Sequence, residues 1–351
     1  MASTNVGPVS TKPFIAARAE EFFDRRMEAL FRAIGWHEQM IPYTGYGSTD
    51  FVRVLARVVL VPRWSRSQLG RATKEFVKRR GWRNFLTAPC VRAKVLITVG
   101  GRTVQVSSDR GGYLDHRVVQ HDLAPGWQTI SLRTEHSAPV DCDVLVVGPD
   151  AEFGLVSDID DTVLTTWLPR PMIAAWNSFV RDESNRQSIP GMARFYHQYL
   201  NAHPGAPMIF LSTGAWNTYD CLKRFLQQHD YPRGPLLLTD WGPTNTGWFR
   251  SGMEHKRTSL QRLAADFPTL DWLLVGDDGQ HDPEIYAEFA HTHPDHVAAV
   301  AIRQLSPAEQ VLAHGTNMPL DEADASAAPE STWVEAQDGR GLAARLRPLL
   351  G

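Results

Sequence analysis

Hydrophobic and polar positions divide the chain into three regimes. From Pro13 to Trp36 the apolar residues Ile15, Ala19, Phe22, Met27, Leu30, Phe31 and Ile34 recur at helical spacing among charged ones, which predicts an amphipathic helix. Beyond Pro42–Gly47, which reads as turn material, short alternating runs predict strands at Phe51–Leu60, Val91–Val99, Thr103–Ser107, Gln128–Arg133 and Val140–Val147. Gly100-Gly101 falls between two of these runs as a hairpin turn. Short strands with few helices between them predict an antiparallel, β-sandwich-like domain over residues 45–149, after an N-terminal helix and linker over 1–44.

After Gly148-Pro149 the pattern changes. Apolar runs of strand length (Phe153–Val156, Met208–Leu211, Leu236–Leu238, Trp272–Val275, Val297–Ile302) alternate with helix-length segments at Ile173–Val180, Met192–Asn201, Tyr219–His229, His255–Phe267 and Pro283–His291. Such alternation predicts a doubly wound α/β domain with a parallel sheet over 150–305. Residues 306–351 then read as an Asp/Ala/Ser-rich linker and a last helix with Leu342, Leu346 and Leu349 on one face.

Composition narrows the class. At 351 residues, 43% hydrophobic and net charge −3, this is an ordinary globular composition, and the net charge makes no case for nucleic-acid binding. Cys90, Cys142 and Cys221 are far apart and suggest neither disulfides nor zinc, so a reducing, cytoplasmic setting is expected. No signal-like or membrane-spanning run is present, so a lipid substrate would be met from the water side. One local exception is Arg63–Arg83, where eight Lys and Arg residues face only Glu75. It reads as a solvated connection or as a dock for an anionic membrane surface, with Trp64, Phe76 and Trp82 as interfacial anchors.

The chemistry sits where the predicted parallel strands end. Phe153–Val156 runs into Ser157-Asp158-Ile159-Asp160-Asp161-Thr162, Phe210-Leu211 into Ser212-Thr213-Gly214, and Leu274-Val275 into Gly276-Asp277-Asp278-Gly279. Ligands of doubly wound sheets bind beyond these ends. Carboxylates crowded there are costly unless a cation or substrate uses them. Several carboxylates with a hydroxyl suit Mg2+ and a substrate phosphate, which makes phosphoryl transfer the natural reaction class: one carboxylate attacks and a second exchanges a proton. A calcium loop fits poorly, because Pro169 stands where the distal Glu should be.

Asp158-Ile159-Asp160-Asp161-Thr162 behind an apolar strand resembles the first motif of the haloacid dehalogenase-like phosphatases. Ser212, Lys256 and Asp277 with Asp278 or Asp282 resemble the other three, in order. The finer resemblance is to the actin-patch-associated phosphatidate phosphatase family and its bacterial relatives, carried by Ser157–Val163, Ile189–Met192, Leu211–Asn217 and Val275–Tyr286. It implies a haloacid dehalogenase-like fold without a large cap and an Mg2+-dependent enzyme. Asp158 would be the nucleophile forming an aspartyl-phosphate, and Asp160 the general acid/base. Ser212 and Lys256 would hold phosphoryl and nucleophile charge, while Thr162, Thr213 and Gly214 would face the substrate. The metal would be held by Asp158, Asp160, Asp277 and Asp282, with Asp278 the open alternative to the last. Ala215 stands where the family's proline is expected. The implied substrate is phosphatidate, released as phosphate and diacylglycerol; a non-lipid phosphomonoester and a non-catalytic adaptor for anionic lipid are the rivals.

Overall fold

The structure is a computed structural model that describes residues 26–62, 87–165, 187–239, 248–314 and 332–350. Residues 26–33 are helical, the described part of the predicted N-terminal helix. The basic stretch at 63–83, the helix predicted at 173–180 and the linker at 321–331 lie outside the described residues, as do Arg170 and Trp241. Among the described residues no helix is long and apolar enough to cross a membrane.

Eight strands make the first sheet: β1 (His37–Ser48), β2 (Phe51–Val61), β3 (Ala88–Pro89), β4 (Lys94–Val99), β5 (Arg102–Ser107), β6 (Tyr113–Val119), β7 (Gly126–Thr134) and β8 (Val140–Val147). Their order is β3-β2-β1-β8-β7-β4-β5, with β6 added on β2. Pairing is antiparallel except between β1 and β8, which run parallel from Gly45 to Ser48. Gly100-Gly101 closes the β4–β5 hairpin, Val99 pairing with Arg102.

The stretch read as turn material, Pro42–Gly47, lies within β1. Proline is tolerated there because the first half of β1 pairs with β2 alone and the β8 ladder begins only at Gly45. At Gly45 a Cβ would lie 2.5 Å from the Arg53 carbonyl, so the bulge between Tyr43 and Tyr46 needs a glycine.

The second sheet is wholly parallel. It contains β9 (Phe153–Ser157), β10 (Met208–Ala215), β11 (Leu236–Thr239), β12 (Asp271–Asp277), β13 (Val297–Arg303) and β14 (Thr332–Ala336), ordered β11-β10-β9-β12-β13-β14. The helices between and after them are α1 (Met192–Ala202), α2 (Tyr219–Gln228), α3 (Trp248–Asp266), α4 (Asp282–Thr292), α5 (Pro307–His314) and α6 (Gly339–Arg345). The segment expected only as linker and helix thus also adds β14 to the sheet edge, in register with β13.

These pairings correct the expected fold class. In place of a sandwich followed by a self-contained, haloacid dehalogenase-like doubly wound core, there is one mixed, curled sheet of mostly antiparallel strands joined to a parallel sheet. Tyr43, Tyr46, Phe51 and Leu55 of the first sheet are buried in the same apolar cluster as Leu155, Phe210 and Leu274 of the second. Tyr46 and Phe51 both meet Phe267, just past α3. Alternation along a strand shows which side chains turn inward but not which strand edges meet, and the sequence reading went wrong at that step.

Candidate active site

β9 is central in the parallel sheet, between β10 and β12, so the chain leaves the sheet at three neighbouring ends. The four apolar or small residues before Ser157 let β9 run through the core, and the first carboxylate follows directly. The Asp158 amide donates to the Val275 carbonyl at 2.9 Å, which holds this turn against β12. Ser157 Oγ is 2.6 Å from the Tyr196 hydroxyl, and Tyr286 donates to the Val275 carbonyl, so buried phenols of α1 and α4 brace the strand ends.

Asp158 and Lys256 are 1% and 2% exposed. Lys256 Nζ reaches Asp158 Oδ1 at 2.7 Å and Asp282 Oδ1 at 2.5 Å. Oxygen atoms of Asp158, Asp277 and Asp282 all lie within 4.8 Å of one another, and all three residues are buried. Asp158 Oδ2 and Asp282 Oδ2 have no hydrogen-bond partner. One ammonium therefore faces three carboxylates. Burial, then the neighbouring carboxylates, push Asp158 and Asp277 well above the usual carboxylate range, with Lys256 opposing. Burial works to lower the Lys256 pKa, but Asp158 and Asp282 outweigh it and hold the ammonium charged. A negatively charged, incompletely partnered oxygen cluster fits a hard divalent cation.

The remaining predicted residues form a second group beside this one. Ser212 Oγ donates to Asp160 Oδ2 at 3.1 Å and accepts from the Gly214 amide at 2.9 Å. Asp160, half-buried, thus faces Ser212 and stands outside the three-carboxylate cluster, although the resemblance had implied a metal role for it. Thr162 donates to Asp277 Oδ2 at 3.4 Å, linking the first and third loops. Thr213 and Gly214 lie at the end of β10 just before Ala215, and the Thr213 carbonyl accepts from the Thr239 hydroxyl at 3.0 Å.

Between the two candidates after β12, geometry separates them. Asp282 opens α4 and points at Lys256, whereas Asp278 Oδ1 is turned away to accept from the Leu305 amide at 2.8 Å and Gln310 Nε2 at 3.0 Å. Gly276 makes room for Asp282, since a Cβ there would lie 2.6 Å from Asp282 Oδ2.

His255 is half-buried with Nε2 3.3 Å from the Leu237 carbonyl, and His281 precedes α4. Trp216 stacks on Tyr43 at 4.2 Å, so its ring packs between the two sheets. The side chains of Trp248, Phe249 and Arg250 lie outside the described residues. Arg303 was missed by sequence reasoning. It ends β13 directly across from Asp277, and no local signal in the sequence marks it out.

Residues 153–304 match the family described as "Phosphatidate phosphatase APP1, catalytic domain". Over 153 residues the chain is 29% identical to "Phosphatidate phosphatase APP1" of Saccharomyces cerevisiae, covering 43% of this chain and 26% of that protein. It is 25% identical over 154 residues to "Uncharacterized protein C29B5.04c" of Schizosaccharomyces pombe, covering 44% and 25% respectively. The chain thus spans about a quarter of the length of the curated relatives it matches. A carbohydrate acetylesterase from Xanthomonas citri overlaps 88% of this chain and 73% of its own at 11% identity, with a TM-score of 0.27 that carries no argument.

Proposed function

We propose that this protein is an Mg2+-dependent phosphatidate phosphatase that works through an aspartyl-phosphate at Asp158. The observation that carries the reading is the buried Asp158–Lys256–Asp282 arrangement beside Asp277, with two carboxylate oxygens unpartnered. Asp158, Asp277 and Asp282 would hold the cation, which when bound neutralises charge on the carboxylates and the substrate phosphate.

Asp158 attacks phosphorus, and the ester oxygen leaves as the diacylglycerol hydroxyl after taking a proton from Asp160. A water then attacks the phosphorus of the acyl phosphate while Asp160 takes a proton from that water and is reprotonated, releasing inorganic phosphate and the free Asp158 carboxylate. Ser212 holds Asp160 by its hydroxyl, whose oxygen is in turn oriented by the Gly214 amide. Lys256 opposes the effect of burial on Asp158 and so favours its ionised, attacking form.

The test is phosphate release from phosphatidate in detergent micelles, with and without EDTA, by wild type and Asp158→Asn. Activity lost in both the EDTA and the variant arms supports the reading. Full activity of Asp158→Asn rejects the mechanism, and faster turnover of soluble phosphomonoesters than of phosphatidate moves the substrate to that class.

A further inference from the structure

We infer that Arg303 is a positioning residue for the carboxylate cluster, and that α5, which anchors it, belongs to the catalytic apparatus; the inference rests on the reading above. Arg303 is 5% exposed and its guanidinium binds three separate segments. Nη1 donates to the Asp161 carbonyl at 2.6 Å, Nη2 to Glu309 Oε1 at 2.6 Å and Nε to the Gln337 carbonyl at 3.2 Å. A fully charged side chain is placed in the interior only where such partners meet it.

The first of those partners matters most. Asp161 has φ +58°, a left-handed conformation that a non-glycine residue keeps only when its surroundings hold it there. Its amide donates to the Leu164 carbonyl at 2.8 Å, and Arg303 fixes the other end of the same residue. The turn at Asp161 sets where Asp160 and Thr162 point, toward Ser212 and Asp277 respectively. Asp161, the one carboxylate of its motif with no catalytic part, thus acts through its backbone.

The main chain of Arg303 reaches the other loop. Its carbonyl accepts from the Asp278 amide at 3.0 Å, in register with Asp277. α5 supports both connections with consecutive residues: Glu309 holds the guanidinium and Gln310 holds the Asp278 carboxylate. Glu309 is itself fixed, its Oε2 accepting from the Ser306 amide at 2.8 Å. One residue therefore ties the Asp158 loop to the Asp277 loop, and α5 sets its place. The matched family region stops at residue 304, just before α5.

The experiment compares full-length wild type, Arg303→Ala, Arg303→Lys, Glu309→Gln and, as control, Gln304→Ala at the exposed residue just beyond the strand. It reads Mg2+ binding by calorimetry, and kcat and KM on micellar phosphatidate. Arg303→Ala is expected to weaken Mg2+ binding and lower kcat by about tenfold or more, the usual effect of losing an outer partner of a metal ligand. KM should move by no more than about twofold, because the substrate is not touched. Arg303→Lys and Glu309→Gln should fall between, and Gln304→Ala should match wild type. If Arg303→Ala does not fold, Glu309→Gln, which keeps the shape of the side chain but only one of its two acceptor oxygens, carries the measurement. Unchanged Mg2+ affinity and kcat in the folded variants overturn the positioning role while leaving the proposed function intact. Wild type that neither binds Mg2+ nor releases phosphate overturns that function and this inference with it.

Discussion

Lys256 Nζ lies 2.7 Å from Asp158 Oδ1 with both side chains removed from solvent, and the same ammonium also touches Asp282. Removing one partner of a buried ion pair leaves the other charge uncompensated, at a cost of about 3–5 kcal/mol. Lys256→Met should therefore lower stability by about that amount at neutral pH in the absence of Mg2+. The loss should shrink in acid, where the stranded carboxylates take up protons. Urea denaturation at two pH values measures it, and an equal loss at both would mean that the carboxylates are not what Lys256 compensates.

The carboxylate cluster has opposite consequences with and without a cation. Like charges held together destabilise the protein alone, so Asp277→Asn should raise its stability in EDTA. If Asp277 is a ligand as proposed, the same substitution removes it, so the gain of about 2.7 kcal/mol expected of wild type at Mg2+ 100-fold above Kd should largely disappear. The two denaturation curves then exchange order when Mg2+ is added. A variant that stays below wild type in both conditions would show that Asp277 is a structural carboxylate instead.

His255 is half-buried, and the desolvation of its ring chiefly lowers its pKa to about 4, with the Leu237 carbonyl opposing. The unfolded chain binds the proton near pH 6.5, so it holds more protons than the native state between about 6.5 and 4. Stability from this site is complete above pH 6.5 and is lost as pH falls through that window, by about 3 kcal/mol in all. His255→Gln should flatten the acid limb of a stability–pH profile across this range. Parallel profiles for the two proteins would exclude His255 as a source of acid sensitivity.

Reading the sequence located the loops because their signal is local: an apolar run stops and polar residues of one kind follow. Asp158, Ser212 and Asp277 stand out in this way. Arg303 did not, because its partners come from residues 161, 309 and 337, and one strand-terminal arginine looks like any other. The choice between Asp278 and Asp282 was likewise illegible, since it depends on α4 approaching β12 closely enough for Asp282 to reach Lys256. β6 and β14 escaped notice for a related reason: each is short, with Asp115, His116 and Arg117 in one and Glu335 in the other diluting the apolar pattern. The curled first sheet was hidden because the β1–β8 pairing joins strands about a hundred residues apart.

The seam between the two sheets carries a polar contact whose loss should be measurable by itself. The Tyr219 hydroxyl accepts from the Thr44 amide at 2.9 Å and lies 2.8 Å from Thr44 Oγ1, all buried. Tyr219→Phe leaves a buried backbone donor unsatisfied, which costs about 1–3 kcal/mol. A denaturation midpoint shift of that size with a single cooperative transition is expected. Two resolved transitions in the variant would mean that this contact couples two otherwise independent units.

Gly276 is the position where the sheet and the site constrain each other most tightly. A Cβ there would lie 2.6 Å from Asp282 Oδ2, 2.7 Å from Asp282 Cβ and 2.8 Å from the Tyr286 ring. Those atoms belong to α4, whose first residue supplies a carboxylate to the cluster and whose Tyr286 hydroxyl is bonded to the Val275 carbonyl. Gly276→Ala cannot be absorbed by one flexible side chain, so α4 must shift away from β12, at the cost of about 1–3 kcal/mol typical of overpacking. Because Asp282 moves with the helix, Mg2+-dependent stabilisation should fall together with stability. Gly101→Ala, in a hairpin turn where a Cβ would meet nothing within 4 Å, provides the comparison and should change neither. If Gly276→Ala is destabilised while Mg2+ still stabilises it as much as wild type, Asp282 does not need its place on α4, and the cation is held by Asp158 and Asp277 without it.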